Sequence, residues 1–439
     1  MGDAWMCWEV MFIVAAFTVV IAGVYLFLLR YFIGFMVWIS IILTFCVLLL
    51  LAIFLHWSGI NQFPDDDKTR KTLKILAYIM YAISGIFIIY IFFMCNRIRL
   101  AIAILKAGVG FVKDCPLSLL IPPVFFILII TLYIYWTLAM LYLWSFGDTK
   151  NRGTNPIAEI EWTDTTRNAL YFEFFGVLWI NAFIIALEQF ILASAVCIWY
   201  FAVGSDAGPQ RPISRSIWRA FFYHLGSLAF GSFILAVIWT IKYILMYISS
   251  KIKSIDKDGK MCFVRCLLAC MMCYVSCFER FIKFLNKNAY IQVALHSTNF
   301  CTSAREAFFL ILRNAGRFLT LGSIGHVFQL LGKGIISIGS TYAGYLIVTH
   351  ADKWSERIHS PVFPTIIFLL ISFLIAEIFM SVYGIACDAI LHCFLADEEI
   401  CRRNGRGPLH APETLKDFLD DERNKESKDG CCSCCRCGC

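Results

Sequence analysis

Glu377, Ser381, Gly384, Asp388 and His392 follow one another at spacings of 4, 3, 4 and 4 residues in the last long apolar stretch. That pattern stacks them on a single helical face. A charged side chain at the centre of a bilayer costs about 2.5 to 3.5 kcal/mol on insertion scales, so such a face must point into a helix bundle or a hydrated cavity. Glu188 lies near the middle of another apolar stretch, beside Gln189 and seven residues after Asn181 on the same face. Lys333, flanked by Gly332 and Gly334, falls at about the depth of Glu377. It is a candidate structural partner for Glu377 or for Glu188. Asp388 sits towards the cytoplasmic end, where capping competes with a substrate contact, and His392 is expected at headgroup level. Trp136, Trp179, Trp199 and Trp239 lie deep. A ring face near a buried carboxylate attracts a quaternary ammonium without needing hydrogen bonds.

The elements that carry these residues follow from composition. The chain has 439 residues, of which 60% are hydrophobic, 16% aromatic and 16% charged, with a mean hydropathy of +0.73. Soluble domains carry about 25% charged residues, so a water-soluble globular protein is excluded. Crossing the hydrocarbon takes about 20 apolar residues. Eight segments qualify, at 9–29, 32–55, 73–95, 116–146, 170–203, 217–249, 319–349 and 361–395. The period-two alternation of a membrane β-barrel is absent from the sequence. The fold class is an all-α polytopic membrane protein, a bundle of eight to nine transmembrane helices. Segments 96–113 and 250–315 mix basic and apolar residues below span length and are expected as interfacial amphipathic helices. Pro122, Pro123 and Pro364 are placed to bend helices.

Charge divides and orients the chain. The net charge of +7 reads as a cytoplasmic bias in loops, not as a nucleic-acid signal. Residues 251–317 hold eleven Lys and Arg and the segment after Asp397 holds eight, which places both in the cytoplasm. Four regions result: N-terminal spans 1–249, a basic cysteine-rich region 250–318, a C-terminal span pair 319–395 and a tail 396–439. For 204–219 and 250–317 to share a side, 217–285 must be re-entrant or cross twice. Cys262, Cys266, Cys270, Cys273 and Cys277 form one helical stripe, and the tail holds Cys431, Cys432, Cys434 and Cys435. Beside the membrane in a reducing compartment, these are candidate S-acylation sites. Zinc is the weaker alternative, because the cysteines lack separated CxxC pairs and no histidine accompanies them. No nucleotide, cofactor or protease motif is present.

The chain also resembles the choline transporter-like family of solute carriers. The likeness is carried by Asn288-Ala-Tyr through Asn299-Phe-Cys-Thr-Ser-Ala304, by Ser381-Val-Tyr and by Asp388-Ala-Ile-Leu-His-Cys-Phe-Leu-Ala-Asp397. Phe221-Phe-Tyr-His224, Gly231-Ser-Phe233 and Leu331-Gly-Lys333 add to it. The resemblance implies ten spans with cytoplasmic termini. This sequence starts where the second span would, giving nine spans, an outer N-terminus and a plasma-membrane location. The family's acidic stretch after the last span is replaced by Glu398-Glu-Ile-Cys-Arg-Arg-Asn404-Gly.

Together these readings predict a carrier of choline or a related cationic amine such as ethanolamine, working by alternating access, with proton linkage open to it. Its substrate-binding candidates are Trp179, Glu188, Gln189, Trp239, Glu377, Ser381 and Asp388, with Lys333 pairing charge. No cofactor and no metal is implied, and the partners are a small cation and the bilayer. The alternative is a non-transporting, acylated membrane scaffold. An enzyme acting on lipid headgroups rests only on Asp388 with His392.

Overall fold

The computed structural model describes residues 8–61, 67–150, 159–202, 211–255, 262–351, 354, 360–403 and 410–420. Ten α-helices account for nearly all of them: α1 Trp8–Asn61, α2 Asp67–Asp114, α3 Ile121–Trp144, α4 Asp164–Ala202, α5 Pro212–Tyr223, α6 Leu225–Ile255, α7 Cys262–His296, α8 Phe300–Arg313, α9 Ala315–His350 and α10 Val362–Arg403. A short antiparallel ribbon, β1 Asp148–Lys150 with β2 Glu159–Glu161, links α3 to α4. Nine stretches among the described residues are long and apolar enough to cross a membrane. The all-α polytopic class is what the structure has.

Three local expectations change. The segments read as spans at 9–29 and 32–55 are each long and apolar enough to cross a membrane, but they are joined in one helix, α1, unbroken over 54 residues. At 1.5 Å per residue it is about 80 Å long. The sequence around Arg30 and Tyr31 supplies no proline or capping residue to stop it, and Gly34 alone does not. Segment 96–113 is not a separate helix; it continues α2, and Ile98, Leu100, Ala101, Ile104, Leu105 and Phe111 are buried. Pro122, Pro123 and Pro364 bend nothing, because they fall in the first turns of α3 and α10, where a missing N–H removes no helical bond. The segment 217–285 supplies two long apolar helices, α6 and α7.

The chain forms two compact units, Met1–Asp114 with Asn314–Cys439 and Cys115–Arg313. In the first, α1 packs on α9 and α10 through small residues. A Cβ on Gly344 would lie 2.6 Å from Val14 and 2.9 Å from Phe368, and one on Gly332 would lie 2.9 Å from Tyr25 and Met380. Thr18 and Ser372 share a buried hydroxyl hydrogen bond of 3.1 Å. The end of α2 packs on α10, where the Tyr383 hydroxyl donates to the Leu105 carbonyl at 3.1 Å. With apolar lipid on the outside, this close approach and interhelical hydrogen bonding are what hold helices together. In the second unit α4 is the most buried helix. Val177 and Leu178 pack against Ala236 of α6, with Leu132, Trp136, Phe174, Phe175 and Trp239 around them. Asn286 of α7 donates to the Gly231 carbonyl at 2.9 Å, fixing α7 to α6.

Candidate functional site

The carboxylates within the long helices meet three different fates. Glu377 on α10 receives the Lys333 ammonium of α9 at 2.7 Å. Of the two partners open to Lys333 in the sequence, the structure selects Glu377. Gly332 lets α9 approach closely enough for this reach, and Gln329, one turn earlier, seats its amide against Gly384. The side chains of Lys333 and Glu377 are 18% and 46% exposed.

Glu279 on α7 is 6% exposed and is held from three sides. Lys242 of α6 donates to its Oε2 at 2.6 Å, and Lys283 pairs with Oε1 at 2.6 Å. The Trp239 indole N–H donates to Oε1 at 3.0 Å. Lys283 also lies over the Trp239 ring, 5.2 Å from its centroid. The ring expected to hold a substrate ammonium thus carries an internal one. Two lysines around one carboxylate leave the cluster with one surplus positive charge. Glu279 escaped the sequence reading because 250–318 was taken as partly interfacial, where an i, i+4 Glu–Lys pair is ordinary. The signal that could have found it is the combination of Glu279 and Lys283 with Trp239 and Lys242, each pair one turn apart.

Glu188 differs from both. It is half-buried in α4, and no hydrogen bond or ion pair reaches it from the described residues. Gln189 beside it is also half-buried. Two and a half turns earlier, the Trp179 indole N–H donates to the Ala229 carbonyl at 3.2 Å. The Trp179 ring, 37% exposed, meets Phe233 edge-on at 5.4 Å and Phe175 at 6.3 Å.

On α10, Ser381 and Asp388 are the half-buried positions in an otherwise buried run from Phe379 to Asp397. His392 is fully buried, with the Phe318 ring edge-on at 5.1 Å. It is packed inside the first unit. Asp397 is 1% exposed and accepts the His410 backbone N–H at 3.0 Å, with the imidazole Nδ1 at 3.3 Å. That carboxylate ties residues 410–420 to α10, and Ala411 and Leu415 are buried there.

Trp179, Glu188, Gln189 and Trp239 belong to the second unit, and Lys333, Glu377, Ser381 and Asp388 to the first. Cys262, Cys266, Cys270, Cys273 and Cys277 are free and exposed along α7. Cys431, Cys432, Cys434 and Cys435 lie outside the described residues. Among the described residues, no three His, Cys, Asp or Glu side chains converge as a metal ion would need.

A family model described as "Plasma-membrane choline transporter" matches residues 78–399. Choline transporter-like protein 2 of Dictyostelium discoideum is 31% identical over 413 residues, 90% of this chain and 64% of that protein. The Homo sapiens protein of the same name is 30% identical over 462 residues, covering 92% of this chain and 65% of that one. The Xenopus laevis protein is 32% identical over 486 residues, with 97% and 67% covered. The chain thus spans about two thirds of the length of these relatives, and slightly less for the first two.

Proposed function

The chain belongs to the plasma-membrane choline transporter family, and from that premise we propose that it carries choline, or a related cationic amine such as ethanolamine, by alternating access. The observation that carries this reading is Glu188. Glu377 and Glu279 are neutralised by lysines of their own chain, whereas no partner among the described residues compensates Glu188. An uncompensated carboxylate within a span requires a cation or a proton. A substrate ammonium supplies the first and an exchanged proton the second, which links the two fluxes. Trp179, with an open ring backed by Phe175 and Phe233, offers the cation–π face, and Gln189 offers a polar contact beside the carboxylate. Ser381 and Asp388 form a polar wall of the first unit. The C-terminal tail faces the cytoplasm, on the side where Lys and Arg accumulate.

The test is radiolabelled choline uptake into proteoliposomes containing the purified chain, with and without an imposed pH gradient. Saturable uptake that follows the gradient is expected. Glu188→Gln should lower it by at least about tenfold, the scale set by losing one desolvated cation partner, while the variant inserts normally. Unchanged uptake in Glu188→Gln removes the carboxylate from the mechanism.

A second reading, an acylated membrane scaffold, is favoured by the exposed cysteine stripe on α7. Cys262 and Cys277 are fifteen residues apart, about 22 Å along the helix, so only one end of the stripe lies at headgroup level, and Cys262 with Cys266 form one of the two ends. Thiol-exchange labelling that falls in a Cys262→Ser, Cys266→Ser variant supports acylation there. Choline uptake by the same variant decides between scaffold and carrier.

A further inference from the structure

In the second unit, the starts of α6 and α8 open onto one cavity of about 530 Å³, lined by Arg219, His224, Ser227, Ser297, Thr298 and Asn299. First-turn N–H groups of a helix lack intrahelical partners and carry the positive end of its dipole. The start of α6, with Ser227 on the cavity, is such an end, whereas at α8 the Asn299 Oδ1 already accepts the Thr302 N–H at 2.9 Å. Arg219 of α5 donates through Nη1 to the Ser194 hydroxyl at 3.1 Å, and through Nη2 to the Ala294 carbonyl at 2.7 Å and the Ser297 hydroxyl at 3.1 Å. All three acceptors are neutral, and among the described residues no carboxylate pairs with the guanidinium. Ser297 has a left-handed backbone, with φ 57°, which costs a non-glycine residue about 1 to 2 kcal/mol. That conformation closes α7 through the Ser297 N–H on the Val293 carbonyl at 2.9 Å and directs its hydroxyl to Arg219.

His224 is the independent pointer to a ligand. It is 6% exposed, it lines the cavity, and no hydrogen bond or ion pair reaches its imidazole from the described residues. The Phe190 ring lies against it at 5.2 Å, and Arg219 shares the cavity with it. A polar group this buried normally has a partner.

The other side of Arg219 shows what kind of molecule would be bound. The same side chain lines a groove of about 1030 Å³ walled by Ile198, Ile217, Trp218, Phe221 and Phe222, with Arg215 at its edge. Trp218 and Phe222 stack with centroids 3.7 Å apart and are 56% and 64% exposed. Helix α5 buries only Pro212, Ser216 and Ala220 and turns an aromatic and basic face outward, the composition of a helix lying in the headgroup region.

We propose that this is a binding site for an anionic phospholipid, its phosphate held by Arg219, His224 and the first turn of α6, and its acyl chains lying along the apolar wall of α5. Helix N-termini and arginine are the two commonest protein ligands of phosphate oxygens. Arg211 and Arg215 add long-range attraction to an anionic leaflet. The site is independent of the transport reading and shares none of its residues.

The test uses the full chain in detergent, titrated calorimetrically with dioctanoyl phosphatidic acid, dioctanoyl phosphatidylcholine and inorganic phosphate. Phosphatidic acid should bind saturably and at least about tenfold more tightly than either of the others, since only it offers both charge and chain. Ser227→Asp places a carboxylate in the cavity at the third position of α6, where an acidic residue suits the helix end. It should fold normally yet lose phosphatidic acid affinity. Trp218→Ala, at an exposed position, should weaken phosphatidic acid and leave phosphate unchanged. Phosphate binding as tightly as the lipid would overturn the lipid assignment in favour of a free-phosphate site. Phosphatidic acid affinity unchanged in Ser227→Asp, or no binding by the folded chain, would overturn the site itself.

Discussion

Replacing Glu279 by glutamine removes one negative charge from between two ammonium groups, each 2.6 Å from it. The amide still accepts from Trp239, so packing persists and the change is electrostatic. Leaving buried charge without its partner costs about 3 to 5 kcal/mol. Lys242 and Lys283 are 31% and 49% exposed, so their ammonium groups can turn partly outward, and the lower end, about 3 kcal/mol, applies. For a unit of about 200 residues, each kcal/mol moves the midpoint by about 2 to 4 °C, which predicts a fall of about 6 to 12 °C. The assay is thermal unfolding of the purified chain in detergent, followed by tryptophan fluorescence. Making Lys242, Glu279 and Lys283 all methionine should recover most of the loss, because an apolar replacement leaves no orphaned charge. Choline uptake per folded molecule should be unchanged in both variants. A shift below about 1 °C for Glu279→Gln would refute the electrostatic account, and lost uptake at an unchanged midpoint would show that the cluster serves the substrate.

Other consequences can be checked alongside. Lys333→Met should lower the folded yield by stranding Glu377, and adding Glu377→Gln should restore it; a double variant no better than the single one would show that the pair is not the reason. Gly344→Ala should destabilise by about 1 to 3 kcal/mol through overpacking, since its Cβ would meet Val14 at 2.6 Å. Gly339→Ala, with nothing within 4 Å, should instead stabilise by about 0.5 to 1 kcal/mol; equal midpoints for the two would contradict the packing. Burial, then the neighbouring Arg219 charge, holds the His224 imidazole below the usual histidine value of 6.5. The fold therefore disfavours protonated His224, so stability is full above pH 6.5 and declines as pH falls towards the lowered value. Unfolding midpoints across that range should flatten in His224→Gln. Asp397→Ala should free residues 410–420 and speed tryptic cleavage at Arg402 and Arg403 relative to the parent chain.

Much of the architecture was legible because lipid-spanning helices have a length requirement that hydropathy meets directly, and because an intramembrane charge demands a partner. A carboxylate partner for Lys333 followed from those two rules, and the choice of Glu377 over Glu188 needed the packing of α9 on α10. The continuity of α1 was not legible, since a hydropathy dip at Arg30 looks the same whether the backbone turns or runs on. The burial of 96–113 was hidden for a related reason. Arg97, Arg99, Lys106 and Lys113 give the segment an amphipathic pattern, and which medium meets its apolar side depends on α10, more than 270 residues away in sequence. Glu279 needed the pairing of α6 with α7. The cavity around Arg219 needed the αL turn at Ser297, which no residue type there announces.

The unbroken ladder of α1 makes the sidedness of the first residues a property of a single point in the chain. The hydrocarbon is about 30 Å thick, less than half the helix's length. With its hydrogen bonds continuous through Arg30, α1 runs one way from Trp8 to Asn61. A single reversal there would turn the same residues into two antiparallel spans. The parity of crossings, and with it the compartment seen by the N-terminus, therefore turns on a few peptide groups between two apolar stretches that are otherwise equally content in lipid.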